Sequence, residues 1–339
     1  MASSRSDSSS CSIARAEPLR YLRIALLLVG VTALGFIVAD NDPPAIAASI
    51  ARVGWRLAVV IVFPTVLVAL FDVLGWRYAF TRDRVGLAPL FLTRLAGEAV
   101  NLTTPTAGLG GEAVKAWLLR DRVPLPEALS SVIVAKTTIT IAQGLLLLLG
   151  VVLAWTVFPA DSRLLTAMEW LLAVELVALS IFVLAQTRGL AAFGGRLLAR
   201  FGARRFESHE GLGRVDRALA EFYLRQPGRL ALSIACHFVA WLLGALETWI
   251  ILSFLGTPVS LVTATVIEAF GTGIRFATFM IPGSLGALEG GYAATFAALG
   301  LGGTMGVSFS LIRRIREIVW IGAGLVAFAL LRVPRSPDV

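Results

Sequence analysis

The sequence predicts an all-α polytopic membrane protein, with about six full spans plus two re-entrant, broken helix pairs related as an inverted repeat. Three observations carry that prediction. The chain is 57% hydrophobic and only 15% charged over 339 residues, with a mean hydropathy of +0.81, whereas a soluble domain carries about 25% charge. Several apolar runs reach the roughly 18–25 residues that cross a ~30 Å hydrocarbon core. Two further apolar stretches are interrupted by Pro, Gly and charge at matching places.

The full spans fall at 22–39, 57–80, 129–157, 165–187, 230–255 and 305–331. Residues 1–21, rich in Ser and Arg, read as a disordered cytoplasmic leader, and 332–339 as a cytoplasmic tail. Residues 22–331 form one transmembrane domain, in which the basic segment 188–229 separates a first repeat centred on 88–157 from a second centred on 259–331. Arg15, Arg20 and Arg23 before the first run and AIAAS after it leave a cleaved signal peptide as an alternative. The run is long for a signal and favours an uncleaved span.

Arginine sets the direction. The leader is basic, as are Arg77, Arg82 and Arg84 after the second span and Arg188, Arg196, Arg200, Arg204, Arg205, Arg214, Arg217, Arg225 and Arg229 before the fifth. By the positive-inside rule both termini face the cytoplasm, in a bacterial inner membrane. The net charge of +8 therefore serves orientation and implies no nucleic-acid partner. Cys11 and Cys236, His209 and His237 offer neither a disulfide framework nor metal-ligand spacing. No metal or cofactor is expected.

The breaks lie in 88–122 and 259–303. The first contains PTAGLGGE, with Pro105, Gly108, Gly110, Gly111 and Glu112; the second contains IPGSLGALEGG, with Pro282, Gly283, Gly286 and Glu289. In each, Pro precedes Glu by seven residues. A shift of 177 takes Pro105 to Pro282, Glu112 to Glu289, Lys136 to Arg313 and Glu98 to Arg275. By arginine counting the first break enters from the cytoplasm and the second from outside. Inverted repeats with broken helices at the midplane are a transporter architecture, and irregular backbone at that depth lines a cavity or is buried by protein.

Charge flanks both breaks. Arg94, Glu98 and Asn101 share a helical face at i, i+4, i+7, and Glu268, Thr272 and Arg275 repeat that spacing. Lys136, Thr140 and Gln143 make a polar stripe, and Arg313, Arg316 and Glu317 follow the second break. Each lone charge at the membrane centre costs about 2.5–3.5 kcal/mol on insertion scales, so pairing, water or a charged ligand is expected to offset it. The bland alternatives are that Lys136 and Arg313 snorkel to an interface and that Glu112 caps the helix beginning near Gly111. Glu175, His237 and Glu247 lack matched partners and read as local hydrogen bonders.

The stretches RLAGEAVNLTTPTAGLGGEAVKAWLLR, ALSSVIVAK and IPGSLGALEGGYAATFAALG followed by SLIRRIREIVW resemble the lysylphosphatidylglycerol synthase transmembrane, flippase-like family, and GGEAVKAWLLR is similar to its hopanoid-biosynthesis-associated branch. The resemblance implies movement of a lipid, anionic or polycyclic and isoprenoid, between leaflets around a polar cavity. The aminoacyltransferase half seen in some members has no counterpart here, so lipid aminoacylation is not carried over. The family's cation after the first break is usually Arg, and Lys136 keeps the charge but not a bidentate phosphate grip. A lipid translocase is thus the leading expectation, with partner proteins of lipid biosynthesis as a further one. The alternatives are a membrane enzyme acting on a headgroup through paired carboxylates and an accessory scaffold of a lipid-assembly complex. GLGGEAVK lacks the G-x4-GK[ST] phosphate loop, which weighs against ATP hydrolysis.

Overall fold

The computed structural model describes residues 25, 27–83, 85–104, 110–159, 161–187 and 209–332. The leader, the break residues Pro105 and Gly108, the basic segment between 188 and 208, and the tail from 333 lie outside the described residues. Every regular element among the described residues is helical, as lipid demands of backbone that must satisfy its hydrogen bonds internally. In order these are α1 (Leu27–Asp40), α2 (Pro43–Val53), α3 (Arg56–Tyr78), α4 (Leu87–Thr103), α5 (Gly110–Leu118), α6 (Leu125–Val157), α7 (Arg163–Thr187), α8 (His209–Arg225), α9 (Pro227–Phe254), α10 (Leu261–Ala277), a 3₁₀ turn (Pro282–Ser284), α11 (Ala287–Ala298) and α12 (Gly303–Arg332).

Four of these helices, α3, α6, α7 and α9, are long and apolar enough to cross a membrane. The first expected span, 22–39, appears as α1, with residues 22–24 and 26 outside the described set. The last is α12, a continuous 30-residue helix whose first half carries Arg313, Arg314, Arg316 and Glu317. Its uninterrupted apolar stretch begins only at Ile318. Outward faces of the long helices are apolar, with Phe63, Leu148, Trp170, Ile181 and Val326 exposed. A contiguous apolar exterior of this kind fits a lipid solvent rather than water.

The repeat is visible in the elements, with one correction to its register. Helices α4 and α10 are each 17 residues, Leu87–Thr103 and Leu261–Ala277, and they correspond at a shift of 174. After the breaks α5 and α11 begin at Gly110 and Ala287, which restores 177. The second break is therefore three residues longer, and the insertion lies before Pro282. Arg94 corresponds to Glu268, Glu98 to Thr272 and Asn101 to Arg275. The Glu98–Arg275 match read from the sequence is replaced, because one constant shift cannot span a break that differs in length.

Packing repeats with the halves exchanged. Helix α4 lies on α12, and its counterpart α10 lies on α6, the counterpart of α12. A Cβ on Gly324 would meet Leu95 backbone on α4; one on Gly150 would meet Ala269 on α10. Short helix α2 packs on α12 while α8 packs on α6. The central pair is α3 with its counterpart α9. Arg56 stacks over Phe254 at 5.5 Å, Ser233 donates to the Gly75 carbonyl at 2.8 Å, and Arg229 donates to the Phe80 carbonyl at 2.7 Å. The equivalent helices α3 and α9 thus run antiparallel, the relation an inverted repeat requires.

Three apolar clusters hold the fold. One joins the end of α3 to α6 and α8 through Trp76, Leu119, Val132 and Phe222. Its counterpart at the opposite end joins the start of α3 and the end of α9 to α11 and α12 through Val60, Leu252, Phe296 and Phe309. A third packs α6, α7 and α10 through Leu147, Met168 and Phe270. Between the first two clusters lie the charged side chains.

Candidate functional site

The second half concentrates charge where α9, α10, α11 and α12 meet. Arg313 grips Glu268 with two donors at 2.7 and 3.0 Å and donates to the Tyr292 hydroxyl at 2.9 Å. Thr248 donates to Glu268 at 2.8 Å. Arg316 pairs with Glu247, whose other oxygen lies 3.6 Å from Arg313 Nε. Arg314 bridges Glu289 and Glu317, each at 2.8 Å, and Arg275 reaches Glu317 at 2.9 Å. Four guanidiniums face four carboxylates, and the Glu247, Glu268 and Glu289 side chains are at most 4% exposed.

Local structure sets these positions. Helix α12 carries RRIRE, so Arg313, Arg314, Arg316 and Glu317 radiate from a little more than one turn. The second break turns through left-handed residues Gly283, Ser284 and Gly286; glycine adopts this conformation at no Cβ cost. Glu289 then accepts from the Gly286 backbone N–H at 2.7 Å, which caps α11. One carboxylate therefore both fixes the helix start and takes Arg314 from α12. Glu289 thus combines a capping role with an ion pair; the residue that Glu112 would cap at the start of α5 lies outside the described residues.

The first half is sparser. Asp72 on α3 pairs with Arg94 on α4 and lies 3.2 Å from His237 Nδ1 on α9. Gly75 leaves room for the His237 ring. Asn101 accepts from the Gly111 N–H at 2.7 Å and donates to Glu112 at 3.3 Å, so Asn101 caps α5. Glu112 is held by Lys115 at 3.0 Å. A Cβ on Gly97 or Gly111 would meet the other helix, so glycine is what lets α4 and α5 approach. Glu98 is half-buried and acts on Arg94 only through its charge. Lys136 is exposed and reaches Glu112 only at longer range. Gln143 bridges the halves weakly, donating to the Thr272 carbonyl at 3.4 Å.

Of the residues singled out from sequence, Glu268, Arg275, Glu289, Arg313 and Arg316 come together with Glu317. Arg94, Asn101 and Glu112 come together in the first half, while Lys136 stands apart. Asp72, Tyr292 and Arg314 complete the networks and were not singled out there, while Glu247 and His237, read as local hydrogen bonders, instead pair across helices with Arg316 and Asp72. The signal that marks Asp72 and Glu247 was present: an ionisable residue inside an apolar span. Two cavities of about 330 Å³ each open elsewhere. One sits at the ends of α6 and α11 beside Ser260, the other between the start of α6 and α8 beside Ser131 and Glu221.

The charged cluster is not fully satisfied. Arg313 Nε, Arg314 Nη2 and Arg316 Nε are buried donors without a hydrogen bond among the described residues, and Glu247 Oε1 is the matching acceptor without one. Buried polar groups are hydrogen-bonded in the great majority of cases. Arg313 Nε and Glu247 Oε1 face each other at 3.6 Å, so Arg314 Nη2 and Arg316 Nε are the donors left over for an anionic group.

Comparison with known proteins agrees with this architecture. A UPF0104 membrane protein of Methanothermobacter thermautotrophicus is 27% identical over 323 residues, covering 89% of this chain and 93% of that protein. No solved structure matches. The family model for the lysylphosphatidylglycerol synthase TM region matches residues 22–325, and the chain belongs to that family.

Proposed function

We propose that this protein binds a membrane lipid by an anionic headgroup at the α9–α12 charge cluster and moves it between leaflets. The observation that carries the reading is the pair of buried guanidinium donors without a hydrogen bond or facing carboxylate oxygen on α12, Arg314 Nη2 and Arg316 Nε, beside a helix break and within an apolar, lipid-facing chain. Arg offers planar N–H pairs that match phosphate, and charge-assisted bonds of this kind are roughly twice as strong as neutral ones. The tail, acyl or polycyclic, stays in the bilayer. Arg275, the most exposed cation of the cluster, and exposed Lys136 are the first charges an arriving headgroup meets from the two halves.

Transport is favoured over headgroup chemistry because the cluster carboxylates are already bound by guanidiniums, which leaves them poorly placed as acid or base. The basic arginines before α9 favour a cytoplasmic placement of that loop and both termini in the inner membrane.

The test is translocation of a fluorescent anionic phospholipid in proteoliposomes, with a zwitterionic phospholipid as control. Wild type should move the anionic lipid faster than empty vesicles. The double variant Arg314→Lys/Arg316→Lys, which keeps charge but removes the spare N–H groups, should lose most of that rate while keeping its elution profile. Wild-type rates equal to those of empty vesicles would end the reading.

A further inference from the structure

One buried carboxylate takes no part in either network. Glu175 lies at the middle of α7, is 0% exposed, and neither of its oxygens has a hydrogen bond among the described residues. A lone ionised carboxylate in such surroundings is strongly disfavoured, and the group becomes neutral instead. Opposite it on α6 is Gly144: a Cβ added there would lie 3.8 Å from Glu175 Oε1. The carboxyl therefore packs against α6 at a glycine, at ordinary van der Waals distance.

Charged groups on the neighbouring elements are engaged or distant. On α6, Lys136 precedes Gly144 by about 12 Å along the axis at 1.5 Å per residue, and Glu127 is further away. On α10, Glu268 is held by Arg313 and Thr248 and Arg275 by Glu317; the face α10 turns to α7 is apolar, with Gly273 against Leu171. On α8, contact with α7 runs through Tyr223, which donates to Gln186 at 2.6 Å. The charges of α8 are Glu210, Arg214, Asp216, Arg217, Glu221 and Arg225. Gln186 is eleven residues beyond Glu175, three turns along the same face of α7, and donates to Thr137 at 2.9 Å.

Helix α7 is also the most peripheral of the four spans, with 11% of its apolar window covered by the rest of the chain against 50% for α6. A displacement of α7 from α6 would uncover the Glu175 carboxyl at Gly144, with the polar Thr137–Gln186–Tyr223 group about 16 Å further along α7. We propose that Glu175 is an intramembrane proton-binding site, occupied while α7 lies on Gly144 and emptied when the two helices part. The site is independent of the headgroup cluster and of the cargo assigned to it.

Dicyclohexylcarbodiimide tests this directly. It is apolar, enters from lipid, and reacts with the protonated acid, whose O–H adds across the reagent's C=N bond with nothing released. Purified wild-type protein in lipid nanodiscs should carry the adduct on the peptide containing Glu175, with labelling falling as pH rises. Peptides containing Glu247, Glu268 and Glu289, which are ion-paired, should label at least tenfold less and serve as comparators within the same digest. Glu175→Gln, an isosteric and neutral change, should abolish the adduct and keep the thermal midpoint. In infrared spectra a carboxylic C=O band should titrate in wild type and be missing from the variant. Absent or pH-independent labelling at Glu175, or no titrating band that the variant removes, would overturn the assignment.

Discussion

Arg313→Gln should be among the most destabilising single changes in the protein, and the reason is geometric. Arg313 gives Glu268 two hydrogen bonds at 2.7 and 3.0 Å and lies 3.6 Å from Glu247, so its removal strips a cation from two buried carboxylates. Glu268 would retain only Thr248, whereas Glu247 keeps Arg316. Breaking a buried pair from one side costs about 3–5 kcal/mol, since an uncompensated charge is left behind. Glu268→Gln should cost less, because Arg313 still has Glu247 and the Tyr292 hydroxyl. The double variant should cost less than the two singles together, with a coupling of about 1–3 kcal/mol. The assay is reversible unfolding in mixed micelles, read by tryptophan fluorescence, for wild type, both singles and the double. Strict additivity, or Glu268→Gln costing as much as Arg313→Gln, would refute the bidentate pair as the organising contact.

Two further outcomes follow from other parts of the fold. Gly322 and Gly324 stand two residues apart on α12, yet a Cβ on Gly322 meets nothing within 4 Å while one on Gly324 meets Leu95 backbone and Ala99. Alanine should therefore stabilise at 322 by up to about 1 kcal/mol and destabilise at 324 by about 1–3 kcal/mol, a sign difference read in the same unfolding assay. At the membrane edge, Asp83 is held below its ordinary carboxyl value of 3.8 chiefly by the hydrogen bond from Arg229, with Arg77 adding to it and burial opposing. A depressed folded value means the stabilisation is present above about pH 4 and is lost as pH falls through the lowered value. The gap in thermal midpoint between wild type and Asp83→Asn should shrink on acidification below that point, and a gap that widened would reverse the sign of the argument.

Much of this architecture is legible in the residues, and the misses share one cause. The Pro–Gly–Glu spacing locates both helix breaks, and the i, i+4, i+7 polar faces locate α4 and α10. Those signals are local and survive without knowledge of packing. Constant-shift matching then carries Glu98 onto Arg275, because it cannot see that the second break is three residues longer. Lys136 aligns with Arg313 in sequence but stands exposed while Arg313 is enclosed. Its helix α6 turns other residues, such as Thr137 and Thr138, into the core. Asp72, Glu247 and His237 sit singly within apolar spans. Their partners come from helices distant in sequence, 22 residues away for Arg94 and 165 between His237 and Asp72, which periodicity within one helix cannot supply.

Charge balance indicates how the cluster would work in the proposed reading. Glu247, Glu268, Glu289 and Glu317 offset Arg275, Arg313, Arg314 and Arg316, so the cluster by itself has little net charge to hold in lipid. An anionic headgroup then enters by exchange, taking a guanidinium from a carboxylate instead of meeting a lone cation. Exchange begins most readily at the least enclosed carboxylate. Glu317 is 11% exposed against 0% for Glu289, and it lies between Arg275 and Arg314, next to the spare Arg314 Nη2 donor. A headgroup arriving past Arg275 meets that donor before it meets the bidentate Arg313–Glu268 pair. Arg313 is thereby left as the fixed post of the cluster, and Arg275 and Arg314 as the cations that change partners.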